Sequence, residues 1–174
     1  MKKLLVLALV LSIATMANAA LTLTISGPTS VVTNSVTTYT IGYSLGGFNG
    51  LVSADMDIVS SVGSIGGGAA ITTNRDTVID IIGINSSTGN YEISLTNDNL
   101  GTDLTSPLAT FQFTAPSVTG LASVQLLENS FFDLNWNAIT GSDLSLPTLS
   151  VHVIPEPMTL SILGLGGLFL RRRK

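Results

Sequence analysis

Between residues 20 and 154, apolar and polar positions alternate in short runs. "LTLTIS" places Leu21, Leu23 and Ile25 on one side of an extended chain and Thr22 and Thr24 on the other. "TTYTIGYSL" repeats the pattern with Tyr39, Ile41, Tyr43 and Leu45, and "LVSADMDIVS" sets Val52, Ala54, Met56 and Ile58 against Ser53, Asp55 and Asp57. In "NYEISLT" the apolar set is Tyr91, Ile93 and Leu95; in "LATFQFTA" it includes Phe111 and Phe113; in "TLSVHVI" it is Leu149, Val151 and Val153. A period of two is the period of a pleated strand with one buried and one wet face. "TVIDII" and "SVQLLE" are further strand candidates, while "SLGGFNG", "NSSTGN" and "TNDNLGTD" carry the Gly, Asn and Asp that turns favour. "GSIGGGAA" lacks the Lys-Ser/Thr of a phosphate loop and reads as a plain glycine-rich loop. No run in this body keeps a helical period for three turns. Eight or nine strands predict an all-β fold, an antiparallel β-sandwich.

The two ends break the pattern. "MKKLLVLALVLSIATMANAA" has two bases, a short apolar core and the small-residue site Ala17-Asn18-Ala19, the three parts of a secretory signal peptide. Cleavage after Ala19 would leave Ala20 first. At the other end, Met158 to Leu170 is apolar or small apart from Thr159 and Ser161, and is followed by Arg171, Arg172, Arg173 and Lys174. As a helix that stretch would be about 20 Å long against a hydrocarbon core of about 30 Å. Pro155 and Pro157 prevent its extension backwards. The four bases resist translocation and act as a membrane stop. A short, glycine-interrupted span suits a transient stay in the inner membrane better than a permanent anchor, which is the alternative. The expected organisation is a signal peptide at 1–19, a sandwich domain at 20–154, and a terminal signal with a short hydrophobic helix at 155–174.

Pro155-Glu156-Pro157, the apolar stretch and the basic cluster, in that order, resemble the PEP-CTERM sorting signal of Gram-negative bacteria. The resemblance implies an exosortase-type processing enzyme as a partner and delivery to the cell envelope, the cell surface or the extracellular matrix. The two prolines would keep the chain around Glu156 extended and accessible just outside the membrane. The body, roughly Leu21 to Val153, resembles the cohesin-type jelly-roll sandwich, a relative of cellulose-binding modules. The segments that carry this resemblance are "GLVSADMDIV" and "GNYEISLTNDNLGTDLTSPLATFQFTAP". It implies a module that binds another protein or a polysaccharide. The chain has no duplicated D-x-N-x-D-G loop of the dockerin kind, so it does not carry a cohesin's partner within itself.

Charge sharpens the contrast between body and ends. Six of the seven Lys and Arg residues lie outside 20–154, leaving Arg75 against ten acids, a body charge of 1 − 10 = −9. Such a surface repels nucleic-acid phosphates and fits an exported protein that meets divalent cations. There is no cysteine, which excludes disulfides, thiol catalysis and cysteine zinc sites.

Candidate chemistry is sparse. His152 is the only histidine and, between inward Val151 and Val153, should face solvent. No G-x-S-x-G accompanies it, so nucleophile–base catalysis has no support. Asp55 and Asp57 lie two apart on one strand face, a spacing compatible with paired carboxylates but better read as solubilising charge. Asn97, Asp98, Asn99 and Asp103 surround Gly101 and are weak candidates for Ca²⁺, in a spacing that matches no EF-hand. "SFFDLNWNAIT" offers Phe131 and Trp136, the only Trp, as possible stacking surfaces for sugar rings; burial in the core is the competing reading. The expectation is therefore a non-enzymatic, exported binding or structural module, placed within exopolysaccharide. A carbohydrate-binding module proper and a cohesin-like protein–protein adhesion module are the alternatives.

Overall fold

The computed structural model describes residues 20–73, 80–97 and 102–158. The expected signal peptide with Ala17 and Ala19, and the apolar tail with Arg171, Arg172, Arg173 and Lys174, lie outside the described residues, as do Asp98 and Asn99. Among the described residues, eleven strands make two sheets. The first contains β1 (Leu21–Ser26), β3 (Val36–Ser44), β5 (Ser64–Ala70), β8 (Ala109–Thr114) and β10 (Leu144–Ser145), in the order β10-β1-β3-β8-β5. The second contains β2 (Ser30–Val32), β4 (Leu51–Ser60), β6 (Ile81–Ile84), β7 (Tyr91–Thr96), β9 (Gly120–Asp133) and β11 (Thr148–Ile154), in the order β2-β11-β9-β4-β7-β6. Pairing is antiparallel except for two short parallel contacts, β1 with β10 and β2 with β11. The sandwich read from the alternation is the fold, with two very short strands that no period could reveal.

The inward residues of both sheets interlock into one core. Tyr39, Ile41, Phe111 and Phe113 from one sheet face Ala54, Met56, Ile58, Ile93, Leu95 and Val151 from the other, all essentially without exposure. Tyr39 stacks on Phe111 at 5.5 Å and meets Phe113 edge-on at 6.4 Å. Its hydroxyl donates to the Pro28 carbonyl at 2.8 Å, which satisfies the one polar atom it carries into the core. Tyr43 donates similarly to the Leu104 carbonyl, and burial, with the nearby Asp103 carboxylate, pushes its phenol up to about 12.

Two departures from the sequence reading have local causes. "GSIGGGAA" is largely strand, because β5 pairs with β8 along the backbone ladder, with a bulge between Gly66 and Ala69. Its glycines admit a neighbour: a Cβ at Gly68 would stand 2.6 Å from the Tyr91 hydroxyl, to which the Gly68 N–H donates. The second departure is β9, which runs fourteen residues and takes in "SFFD". Its register against β4 shifts between Asp55 and Met56, where Met56 faces Glu128 and Asp55 faces Ser130. The extra residue, Asn129, reverses the parity, so Leu126 and Phe131 both point inward although five positions separate them.

Candidate functional site

Three places gather polar or aromatic side chains that packing alone does not require. The first is the outer face of the six-stranded sheet. Asp55 and Asp57 project from β4, Glu92 lies opposite Asp57 on β7, and Asn129 sits at the β9 bulge. Asp57 is not the solubilising surface charge expected of it, being only 2% exposed. Its carboxylate accepts from Asn129 Nδ2 at 3.0 Å, Asn90 Nδ2 at 2.8 Å and Thr88 Oγ1 at 3.2 Å. The last two donors come from the β6–β7 hairpin, which is shaped by Asn85 accepting from the backbone of Ser87 and Thr88. Asn129 also donates to Asp55 at 3.3 Å. Burial raises the Asp55 carboxyl against the pull of these hydrogen bonds, and burial together with Asp55 and Asp57 raises Glu92. Asp55 and Glu92 are near neighbours on this face, Glu92 standing opposite Asp57 in the β4–β7 ladder. The sequence reading passed over Asn90, Thr88 and Asn129. Asn129 could have been found only by noticing that the apolar period of β9 breaks at it.

The second place is the loop after β9. Phe131 is fully buried, so it is no sugar contact; its place beside the Trp is taken by Phe132, whose ring lies 6.0 Å from Trp136 at a 46° tilt. The parity reversal at Asn129 is the physical reason. Trp136 is 45% exposed and has a φ of 59°, left-handed backbone that a bulky residue rarely adopts. The loop is held by Asp133, whose carboxylate accepts the N–H groups of Asn135 (2.8 Å) and Asn137 (2.9 Å) and the Asn137 amide (3.0 Å). Burial works to raise this carboxyl, but the three donors outweigh it and hold it below the ordinary range. The Trp136 N–H closes the turn onto the Asp133 carbonyl at 2.9 Å.

The third place is the chain's exit. Pro155, Glu156 and Pro157 follow β11 without a linker. Glu156 and Pro157 are exposed, and Pro155 with Glu156 borders a recess of about 340 Å³ lined also by Thr33, Asn34, Ser117 and Thr119. Of the calcium candidates, Asn97 is 4% exposed and uses its amide to close its own loop onto Thr102 Oγ1 at 2.8 Å. Asp103 is half-buried beside Tyr43. Among the described residues, no three His, Cys, Asp or Glu side chains group in a way that could hold a metal ion. His152 is exposed, paired in the ladder with Ser30 and Leu121.

No protein-family model matches the sequence, and a search of curated proteins finds no match. Solved structures do share the fold. The seventh ScaB type I cohesin from Pseudobacteroides cellulosolvens matches with a TM-score of 0.60 at 16% identity, over 79% of this chain and 94% of that one. The sixth cohesin from scaffoldin B of Acetivibrio cellulolyticus, solved in complex with a mutant Cel5 dockerin, matches at 0.57 and 16% identity, over 78% and 98%. The cohesin module of a Clostridium perfringens family 33 glycoside hydrolase matches at 0.52 and 14% identity, over 79% and 99%. At these identities the likeness is one of fold, and the body of this chain is a cohesin-like β-sandwich.

Proposed function

We propose that the protein is a non-catalytic, surface-displayed module that binds another protein. The single observation that carries this reading is the extent of the likeness: nearly the whole of three cohesin modules, one of them solved with a dockerin bound, superposes on this body. The outer face of the six-stranded sheet is the surface we assign to the partner. Asp55, Asn129, Asn90 and Thr88 are already fixed around or beside the buried Asp57, so a partner meeting them would freeze few rotamers, which limits the entropy lost on association. Leu127, 38% exposed and paired with Asp57 across the β4–β9 ladder, supplies an apolar contact beside them. The PEP-CTERM resemblance of the tail supplies the route: export, a transient stop in the inner membrane, recognition by an exosortase-type enzyme and release to the envelope or matrix.

The test is binding of the purified protein to the separated proteins of its own cell envelope, compared with Leu127→Arg and Asn129→Arg. A saturable partner lost in both variants supports the reading; a partner indifferent to both removes the sheet face. The carbohydrate reading rests on one observation, the exposed Trp136 beside Phe132. A glycan-array signal abolished by Trp136→Ala, with no protein partner, would favour it instead.

A further inference from the structure

The two ends of the sandwich differ in charge. The end from which the chain leaves after Ile154 is built from the loops 33–35, 61–63, 85–90 and 115–119, and none of them contains a Lys, Arg, Asp or Glu. Glu156 is the one charged residue in the exit segment itself, while the Asp57 carboxylate stands behind the 85–90 loop, covered by Thr88 and Asn90, with Glu92 beside it on the sheet face. Asp80, Asp103, Asp133 and Asp143 all lie at the opposite end, with Ala20, whose carbonyl packs against Gly46. The ten-residue strand β4 makes the distance between the ends about 30 Å. The uncharged end also exposes aliphatic side chains: Val118 at its tip (71% exposed), Leu121 (61%), Val62 (43%) and Ile154 (44%). Met158, 76% exposed, is the last described residue, and the sequence continues as an apolar run to Leu170 before four bases.

We propose that this uncharged end is a lipid-contact surface on which the domain stands upright while its tail is in the membrane. The inference rests on the reading of the tail as a membrane stop. Three residues, Pro155 to Pro157, join the last strand to the apolar run, and they can span at most about 11 Å. A tail seated in hydrocarbon therefore draws the 115–119 and 33–35 loops into the headgroup layer. A body of charge −9 would be repelled by an anionic leaflet if it approached on its acidic face or far end. Standing on the uncharged end keeps the four far-end acids several screening lengths away, at about 8 Å each. The aliphatic tips of Val118, Leu121 and Ile154 then meet the interface instead of water. The same geometry requires a free N-terminus, because one flat bilayer cannot reach both Ala20 and Met158.

The test uses the absence of cysteine. Val118→Cys at the uncharged end and Ser142→Cys at the far end each receive a single nitroxide label on the otherwise unaltered chain from Ala20 to Lys174, the form expected after export. The chain is then reconstituted in phosphatidylethanolamine–phosphatidylglycerol vesicles. The expected result is flotation with the vesicles, with the label at 118 several-fold more accessible to oxygen than to a water-soluble nickel chelate and the label at 142 the reverse. Flotation with a water-like profile at both positions would overturn the inference and leave the tail reading standing. A label at 118 shielded from both reagents would mean protein contact and overturn it equally. Failure to float would remove the membrane stop, and this inference with it.

Discussion

The side-chain amide of Asn129 reaches two carboxylates of the neighbouring strand at once, Asp57 at 3.0 Å and Asp55 at 3.3 Å. That contact exists because the bulge at Asn129 turns its side chain onto the outer face, while the residues on either side of the bulge keep Leu126 and Phe131 in the core. Asp57, nearly without exposure, depends on its donors. Replacing Asn129 with Ala removes one of three and should cost about 1–2 kcal/mol in urea unfolding. Asp57→Asn should cost more, because an amide NH₂ would face Asn129, Asn90 or Thr88 donors where the carboxylate accepts from all of them. Equal effects of the two substitutions would mean that the network is not what holds the face.

The same cluster sets a pH dependence. The folded state raises Asp55 and Glu92 above their ordinary values, so it holds protons more tightly than the unfolded chain. Between the ordinary and raised values, stability therefore falls as pH rises. Asp133 is lowered, so its contribution is complete above its ordinary value and is lost as pH falls through the folded one. Melting temperature should climb as pH falls from the raised values of Asp55 and Glu92 toward the ordinary carboxylate range, and turn down when Asp133 begins to protonate. Acidification also relaxes the general repulsion of a −9 body, so the informative comparison is with the double variant Asp55→Asn, Glu92→Gln. Its melting temperature should climb much less over the upper part of the range.

The fold was legible where one face of a strand is wet. In β1, β3, β7, β8 and β11 the alternation alone gives the inward set, because polar residues mark the other side. It failed for β5, whose glycines carry no pattern and whose pairing rests on the backbone ladder, and for the end of β9, where one inserted residue reverses the parity. That reversal is why Phe131, offered as a possible sugar contact, is core, and why Phe132 is the ring that stands beside Trp136. The polar face was half legible: Asp55 and Asp57 were seen as a pair, but burial of Asp57 comes from a hairpin thirty positions later in the chain, which spacing cannot show.

The loop around Trp136 offers a clean probe, since this is the chain's only Trp and its fluorescence reports one place. Asp133→Ala removes the acceptor of three hydrogen bonds that hold the left-handed turn. The expected outcome is a red-shifted emission and easier quenching by acrylamide, with about 1–3 kcal/mol lost in stability. Unchanged emission would mean that the Phe132 contact, not the carboxylate, positions the ring.

Gly27 bears on the core in a way its exposed position hides. A Cβ there would overlap the ring of Tyr39, which is locked between Phe111, Phe113 and its hydrogen bond to the Pro28 carbonyl. Neither partner can yield easily: the ring is fully buried, and the backbone of Gly27–Thr29 is pinned where the Thr29 carbonyl accepts the His152 N–H at 2.8 Å. Gly27→Ala should therefore act like overpacking of the core rather than a surface change, costing about 1–3 kcal/mol. Tyr39→Leu in the same chain removes the obstructing ring, so in the double variant Gly27→Ala should cost much less than it does alone. Additive losses in chemical unfolding would show that the clash is relieved by backbone movement, and that the aromatic stack is not the rigid element of this core.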